Sequence, residues 1–271
     1  MTAFRAVRRH AIMHALASDT LALPDFPSAT FPASSRKPLN AIATRLFGVH
    51  LTGDIRERLS GAGVRPPLTA ARRTRLRSIE RAGALFIHIP KNAGMSVSNA
   101  LYGLQVKHAS VRYYDCIAPA LLDSVPSFAL IRDPRDRFLS AWRYGRAGGT
   151  AHNRVSPPFR KTYMGFRDID CALDHLESVR SIYQLDHIFR PQSWYIADRD
   201  GEIMVDRLFL LTDMSRASAA MPHLLPAAIP HLNRTAAGKT MLTRAQEERL
   251  RALYPQDFRL FEMLSTHRPW L

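Results

Sequence analysis

Apolar positions in this chain fall into two unlike patterns. Over residues 84–89 and again over Ser127–Ile131 they run almost unbroken, as expected of strands buried on both faces of a parallel sheet. After each run the chain breaks into a polar turn and then resumes at helical spacing, over Gly94–Tyr102 and residues 134–144. Residues 106–122 read as the crossover between these two units. A third strand is expected over residues 205–211, followed by a helix over 215–225 that Ser215 would cap. Helical periodicity returns over 169–179. Thr243 and Gln246 form a capping-box start for a helix reaching Tyr254, and 257–264 is a last apolar helical stretch. Residues 145–158, with three Gly and two Pro, read as a loop long enough to be a lid or a substrate contact. Strands alternating with helices predict an α/β fold, a P-loop-like parallel sheet flanked by helices.

The first 83 residues differ from the rest. They hold 14 Lys+Arg against 5 Asp+Glu. Pro and Ser are dense over 24–38, which reads as an extended linker between helix-like pieces at 4–16 and 39–59. Another helix, strongly basic, is expected over 69–81. The organisation is therefore a basic N-terminal extension over 1–83, partly helical or flexible, and a domain over 84–271. The extension has two readings: a solvated segment packing on the domain in places, or a contact for an acidic substrate or a membrane surface.

Charge sharpens the picture. With 38 Lys+Arg and 23 Asp+Glu the net charge is +15, which suits anionic partners such as a phosphate-bearing cofactor, an acidic glycan or a lipid head group. Zinc-finger spacing, an aromatic RNA-binding motif and a basic heptad region are all missing, so nucleic acid is not an expected partner. Cys116 and Cys171 stand alone, which indicates neither a disulfide framework nor a thiolate metal site. No window reaches the ~20 apolar residues of a membrane span. The start has a signal-like outline ending at Ala15-Leu16-Ala17, but His10 and His14 interrupt its short apolar run. A cytoplasmic protein is expected, with peripheral contact to a membrane as the alternative placement.

Chemistry concentrates at the two strand–helix turns. In the first, Pro90 stiffens the strand exit and Gly94 lets backbone approach a bound oxyanion. Helix-start N–H groups would hold that group, with Ser96 adding a hydroxyl and Lys91 a positive charge. Lys91 precedes the turn, unlike the Lys of a Walker A loop. In the second, Pro134 opens the helix, Arg132 closes the strand, and Ser140 lies two turns up, placed to share one phosphate with Arg132. Arg137 reads as easily as a structural ion-pair partner, of Asp133 or Asp136, as it does as a site residue.

The run Phe86-Ile-His-Ile-Pro-Lys-Asn-Ala-Gly-Met-Ser96, followed by Arg132-Asp-Pro-Arg-Asp-Arg-Phe-Leu-Ser140, resembles the carbohydrate sulfotransferases that use 3'-phosphoadenosine 5'-phosphosulfate (PAPS). That group includes the heparan sulfate uronosyl O-sulfotransferases and many bacterial relatives. Downstream echoes are His187 to Gln192, Val205 to Arg207, Leu232 to Thr235 and Tyr254 to Phe258, so the resemblance spans about residues 84–264. It implies that Lys91, Asn92, Ala93, Gly94, Met95, Ser96 and Val97 form the 5'-phosphosulfate loop, and that Arg132 and Ser140 bind the 3'-phosphate. The family often has Thr at the places of Asn92 and Met95; Asn92 keeps a donor there and Met95 does not. Carried over, His108 is the general base and Lys91 neutralises the leaving phosphate, while the second His of the heparan-type motif falls on Ser110. The implied reaction moves a sulfuryl group to a hydroxyl of a carbohydrate or glycolipid, leaves adenosine 3',5'-bisphosphate, and needs no metal. Arg190, Gln192, Asn233, Arg234 and Thr235 are candidates for acceptor, cofactor or supporting contacts. His88, a weaker candidate base, reads by its alternation as a packing residue. His187 reads as structural, with the acceptor cleft as its alternative. Trp142, Trp194 and Tyr195 are core residues or sugar platforms. Two other functions fit the turns less closely: a nucleotide-dependent phosphoryl transferase, and a non-catalytic polyanion-binding protein.

Overall fold

The computed structural model describes residues 37–150, 153–221 and 240–266. The expected helix at 4–16 lies outside them, as do Asn233, Arg234 and Thr235. Of the 24–38 linker only the last two residues fall inside, and they open helix α1 (Lys37–Leu46). Where one helix over 39–59 was expected, two form: α1 and α2 (Thr52–Gly61). The break falls at Gly48, whose φ of +58° a residue with a side chain adopts only at a cost. The basic helix α3 (Ala70–Ala82) follows and ends at Gly83, again left-handed.

Three strands, β1 (Leu85–Phe86), β2 (Ser127–Ile131) and β3 (Arg207–Leu210), form a parallel sheet in the order β1-β2-β3. Leu85 pairs with Ser127, and Phe128 with Arg207. β2 is buried along its whole length, as its apolar run predicted. The first run is equally buried but leaves the ladder early. The Ile87 N–H still reaches Phe128 O at 2.9 Å, after which side chains take over the backbone: His108 Nδ1 lies 3.3 Å from His88 O, and Arg137 Nε donates to Pro90 O at 3.1 Å. Helix α4 (Gly94–Tyr102) seals the free edge of β1. The Tyr102 hydroxyl accepts from Phe86 N–H at 2.8 Å and donates to Ala84 O at 3.0 Å, so this edge has no open donor there.

The crossover contains two helices, α5 (Val111–Ile117) and α6 (Pro119–Ser124). After β2 comes α7 (Pro134–Arg146), then α8 (Pro157–Met164), α9 (Ile169–Ser178) and the single turn α10 (Ser193–Ile196). The expected loop over 145–158 is shorter at both ends: α7 runs on to Arg146, and Pro157 opens α8. Both prolines sit in the first turn of α8, where their missing N–H groups cost nothing, and Phe159 and Tyr163 bury its inner face. β3 leads to α11 (Met214–Ala220), which begins after Asp213; Ser215 is inside it and is not its cap. The capping box at Thr243 and Gln246 opens α12 (Arg244–Leu253), and α13 (Pro255–Thr266) closes the described chain.

Two apolar clusters organise the molecule. One surrounds the sheet, from Ile79 through Ile131 to Leu260. The other joins Phe138 and Trp142 of α7 to Tyr163, Leu173, Phe189, Tyr254 and Phe258. Among the described residues no helix is long and apolar enough to cross a membrane.

Candidate active site

The turn between β1 and α4 is held in an unusual shape. Lys91 (φ +70°) and Ala93 (φ +56°) both occupy the left-handed region, which costs a residue with a Cβ roughly 1–2 kcal/mol. Gly94 has a different constraint. A Cβ there would stand 1.8 Å from Cδ2 of His88, whose ring lies under the helix start. The turn is braced from below. Asn92 is fully buried and its Nδ2 donates to Leu130 O (2.7 Å) and to Gln192 Oε1 (2.6 Å).

Gln192 also holds the second turn. Its Oε1 accepts from Arg132 N–H at 3.0 Å and its Nε2 donates to Arg132 O at 2.9 Å. Asp257 fixes Gln192 in turn, accepting from the backbone N–H groups of Gln192 (2.7 Å) and Ser193 (2.9 Å). Arg132 then reaches across, NH1 donating to Lys91 O at 3.1 Å. The two turns, some forty residues apart in sequence, are thus one assembly.

That assembly is cationic. Lys91 Nζ lies 4.3 Å over the Tyr144 ring, a favourable seat for an ammonium. Burial, and then Arg132 and Arg137, pull the Lys91 ammonium down to about 8. Arg137 is only 2% exposed, pairs with neither Asp133 nor Asp136, and donates through Nε to Pro90 O beneath the first turn. Its NH2 is buried with no partner among the described residues. Asp133 instead caps α7, accepting from Arg135 N–H at 2.8 Å. Crowded cations and an orphaned guanidinium nitrogen beside a helix start suit a phosphate- or sulfate-bearing group.

Three histidine rings adjoin this assembly. His88 is buried, with Nδ1 3.0 Å from Val106 O, and its ring centroid is 4.2 Å from that of His108. His108 is half-buried, and its ring centroid lies 5.7 Å from that of His187. Because Gly94 rests on His88, one ring separates His108 from the first turn. Burial, then the His88 and His187 rings, hold the His108 imidazole well below its ordinary range, while burial takes His88 to about 4. A neutral imidazole at physiological pH can accept a proton from a hydroxyl.

Several expected site residues have other surroundings. The Asn92 side chain points down into the brace, so only its backbone can face a ligand. The N–H groups of Ser96 and Val97 donate to Ala93 O (3.1 and 3.3 Å), so the outermost donors lie earlier in the turn. Met95 Sδ accepts from Asn153 Nδ2 at 3.5 Å, which brings Asn153 onto the helix start. Ser140 is half-buried on α7, without a hydrogen-bond partner among the described residues. Arg190 and Gln192 are both fully buried, with their polar groups held by protein. Arg190 is bound by Asp54 (2.9 and 2.5 Å) and Leu185 O, and Gln192 ties the turns together. Tyr195 is completely buried and Trp142 nearly so, in the two cores; Trp194 is half-buried and borders an open cleft. Reading along the chain missed Tyr144, Asp54 and Glu57, and offered Arg137 an ion pair in place of its seat beneath the first turn. A charged residue on the apolar stripe of α7 was the available signal for Arg137.

The sulfotransferase family model matches residues 76–263, well over half the chain. The protein belongs to the sulfotransferase family, and its fold is the mixed α/β arrangement described above, a small parallel sheet flanked by helices. It is accordingly an enzyme of sulfuryl transfer. Among curated proteins and among solved structures, nothing matches the chain.

Proposed function

We propose that this sulfotransferase takes its sulfuryl group from PAPS and delivers it to a hydroxyl of a carbohydrate or glycolipid. The observation that carries the donor assignment is the bridging of the two turns by Gln192 and by the Arg132–Lys91 contact. A nucleotide phosphorylated at both ends needs cations at two places on one rigid frame. The backbone of residues 91–97 with Lys91 would hold the 5'-phosphosulfate, and Arg132 with Ser140 the 3'-phosphate. Bound there, the donor supplies a sulfuryl group already activated on a phosphate leaving group. His108 removes the proton of the acceptor hydroxyl as its oxygen approaches sulfur. Lys91 stands where negative charge collects on the leaving phosphate.

A carbohydrate acceptor draws support from the cleft beside the histidines. Its volume is about 620 Å³, and Arg58, Arg112, Tyr183, Trp194 and Asp198 are among the residues lining it. Aromatic faces flanked by polar groups suit a sugar. Trp194, on the wall of the cleft, lies 6.4 Å, ring to ring, from His187.

Adenosine 3',5'-bisphosphate at about a hundred times its Kd is expected to raise the melting temperature by roughly 5–10 °C. Arg132→Ala should abolish the shift. No shift in the unaltered protein contradicts the donor assignment, and a shift seen only with ATP and magnesium would favour phosphoryl transfer.

A further inference from the structure

Helix α2 lies wholly outside the matched residues 76–263, yet it buries two carboxylates, Asp54 at 0% and Glu57 at 7% exposure. A buried carboxylate is costly unless it is fully partnered. The two are one helical turn apart and so share a face. Their partners flank one residue, His108.

Glu57 holds the backbone on one side. Its Oε1 accepts from Ser110 N–H at 2.9 Å and its Oε2 from the Ser110 hydroxyl at 2.7 Å, two residues beyond His108. Ser110 Oγ in turn caps α5, accepting from Tyr113 N–H at 3.2 Å. Asp54 addresses the ring on the other side. Its Oδ1 lies 3.4 Å from Nε2 of His187. The Tyr195 hydroxyl donates to His187 O at 3.0 Å, so its oxygen is left to take the Nδ1–H of the same ring at 2.9 Å. Tyr195 on one side and Asp54 on the other thus flank the His187 ring, whose centroid lies 5.7 Å from that of His108.

We propose that α2 is the positioning element for the base: Glu57 fixes the His108 loop through Ser110, and Asp54 fixes the His108 ring through His187. Asp54, Glu57 and His187 are positioning residues, and the assignment rests on reading His108 as the base. A segment preceding the family-matched region then completes the site.

The test uses the full chain, radiolabelled PAPS as donor and a detergent extract of the source cells' glycans and glycolipids as acceptor. Glu57→Ala and His187→Gln should each lower turnover by about tenfold or more, whereas Glu57→Gln, which keeps an acceptor for Ser110, should stay within roughly threefold of the unaltered enzyme. Adenosine 3',5'-bisphosphate affinity should change by less than about twofold in all of them. Among the described groups, burial and the rings of His88 and His187 with the Arg137 guanidinium disfavour protonation of His108, while the His88 carbonyl at its Nδ1 favours it. Removing His187 should therefore move the acid limb of the pH–rate profile upward, which a purely structural loss would not do. His187→Gln leaves the Asp54–Arg190 pair intact and carries the test even where Glu57→Ala fails to fold. Unchanged turnover and an unmoved acid limb in His187→Gln, beside an inactive His108→Ala, overturn the proposal and leave the base reading standing. An active His108→Ala overturns the base reading and this assignment with it, whereas absent nucleotide binding by the unaltered protein overturns the donor assignment.

Discussion

Lys91 concentrates several physical effects in one side chain. It sits in a left-handed turn, its ammonium rests on Tyr144, and burial together with Arg132 and Arg137 draws its pKa to about 8. A group lowered in this way is charged below that value and loses its proton as pH rises through it. Affinity for adenosine 3',5'-bisphosphate should therefore hold from pH 6 to about 7.5 and fall across about pH 8. Titration calorimetry at a series of pH values checks this, and Lys91→Arg should remove the decline. Gly94 gives a second test at this scale. Gly94→Ala would drive a methyl group into the His88 ring, shifting His88 and with it His108, so turnover should fall by more than about tenfold. Retained turnover would show that the His88 ring yields freely. The two turns that carry Lys91, Gly94 and Arg132 were legible in the sequence because a buried apolar run that breaks into a helix start is a local signal. The direction of the Asn92 side chain was not, since it depends on Gln192, a hundred residues away.

At the scale of elements, local signals succeeded where local physics decides. The capping box at Thr243 formed as read, and Thr243→Ala should cost about 1 kcal/mol in a denaturation experiment. The run over residues 84–89 was buried as expected but formed a short strand, because long-range side-chain bonds to His88 O and Pro90 O replaced the ladder. Helix α8 was missed because two prolines read as loop when they in fact occupy a first helical turn. Helix α2 was expected only as the end of one helix over 39–59; its buried face is polar, so hydrophobic periodicity did not reveal that it packs into the fold. Burial alone would raise the Asp54 carboxyl, but hydrogen bonds to His187 and Arg190 outweigh it and hold the carboxyl below its usual range. Its stabilising contribution is complete above that range and is lost only as pH falls below it. Asp54→Ala leaves Arg190 buried and unpaired, and should cost about 3–5 kcal/mol of stability near neutral pH.

The whole molecule joins a family-matched domain to a preceding segment that packs into it through Asp54 and Glu57. Its charge of +15 and the cation cluster at the two turns favour anionic ligands together. The central claim is that both turns grip one nucleotide. A crystal structure with adenosine 3',5'-bisphosphate tests it most directly. The 5'-phosphate should lie against residues 91–97 with Lys91 turned toward it, and the 3'-phosphate against Arg132 and Ser140. A nucleotide bound elsewhere, or one touching a single turn only, would contradict the account.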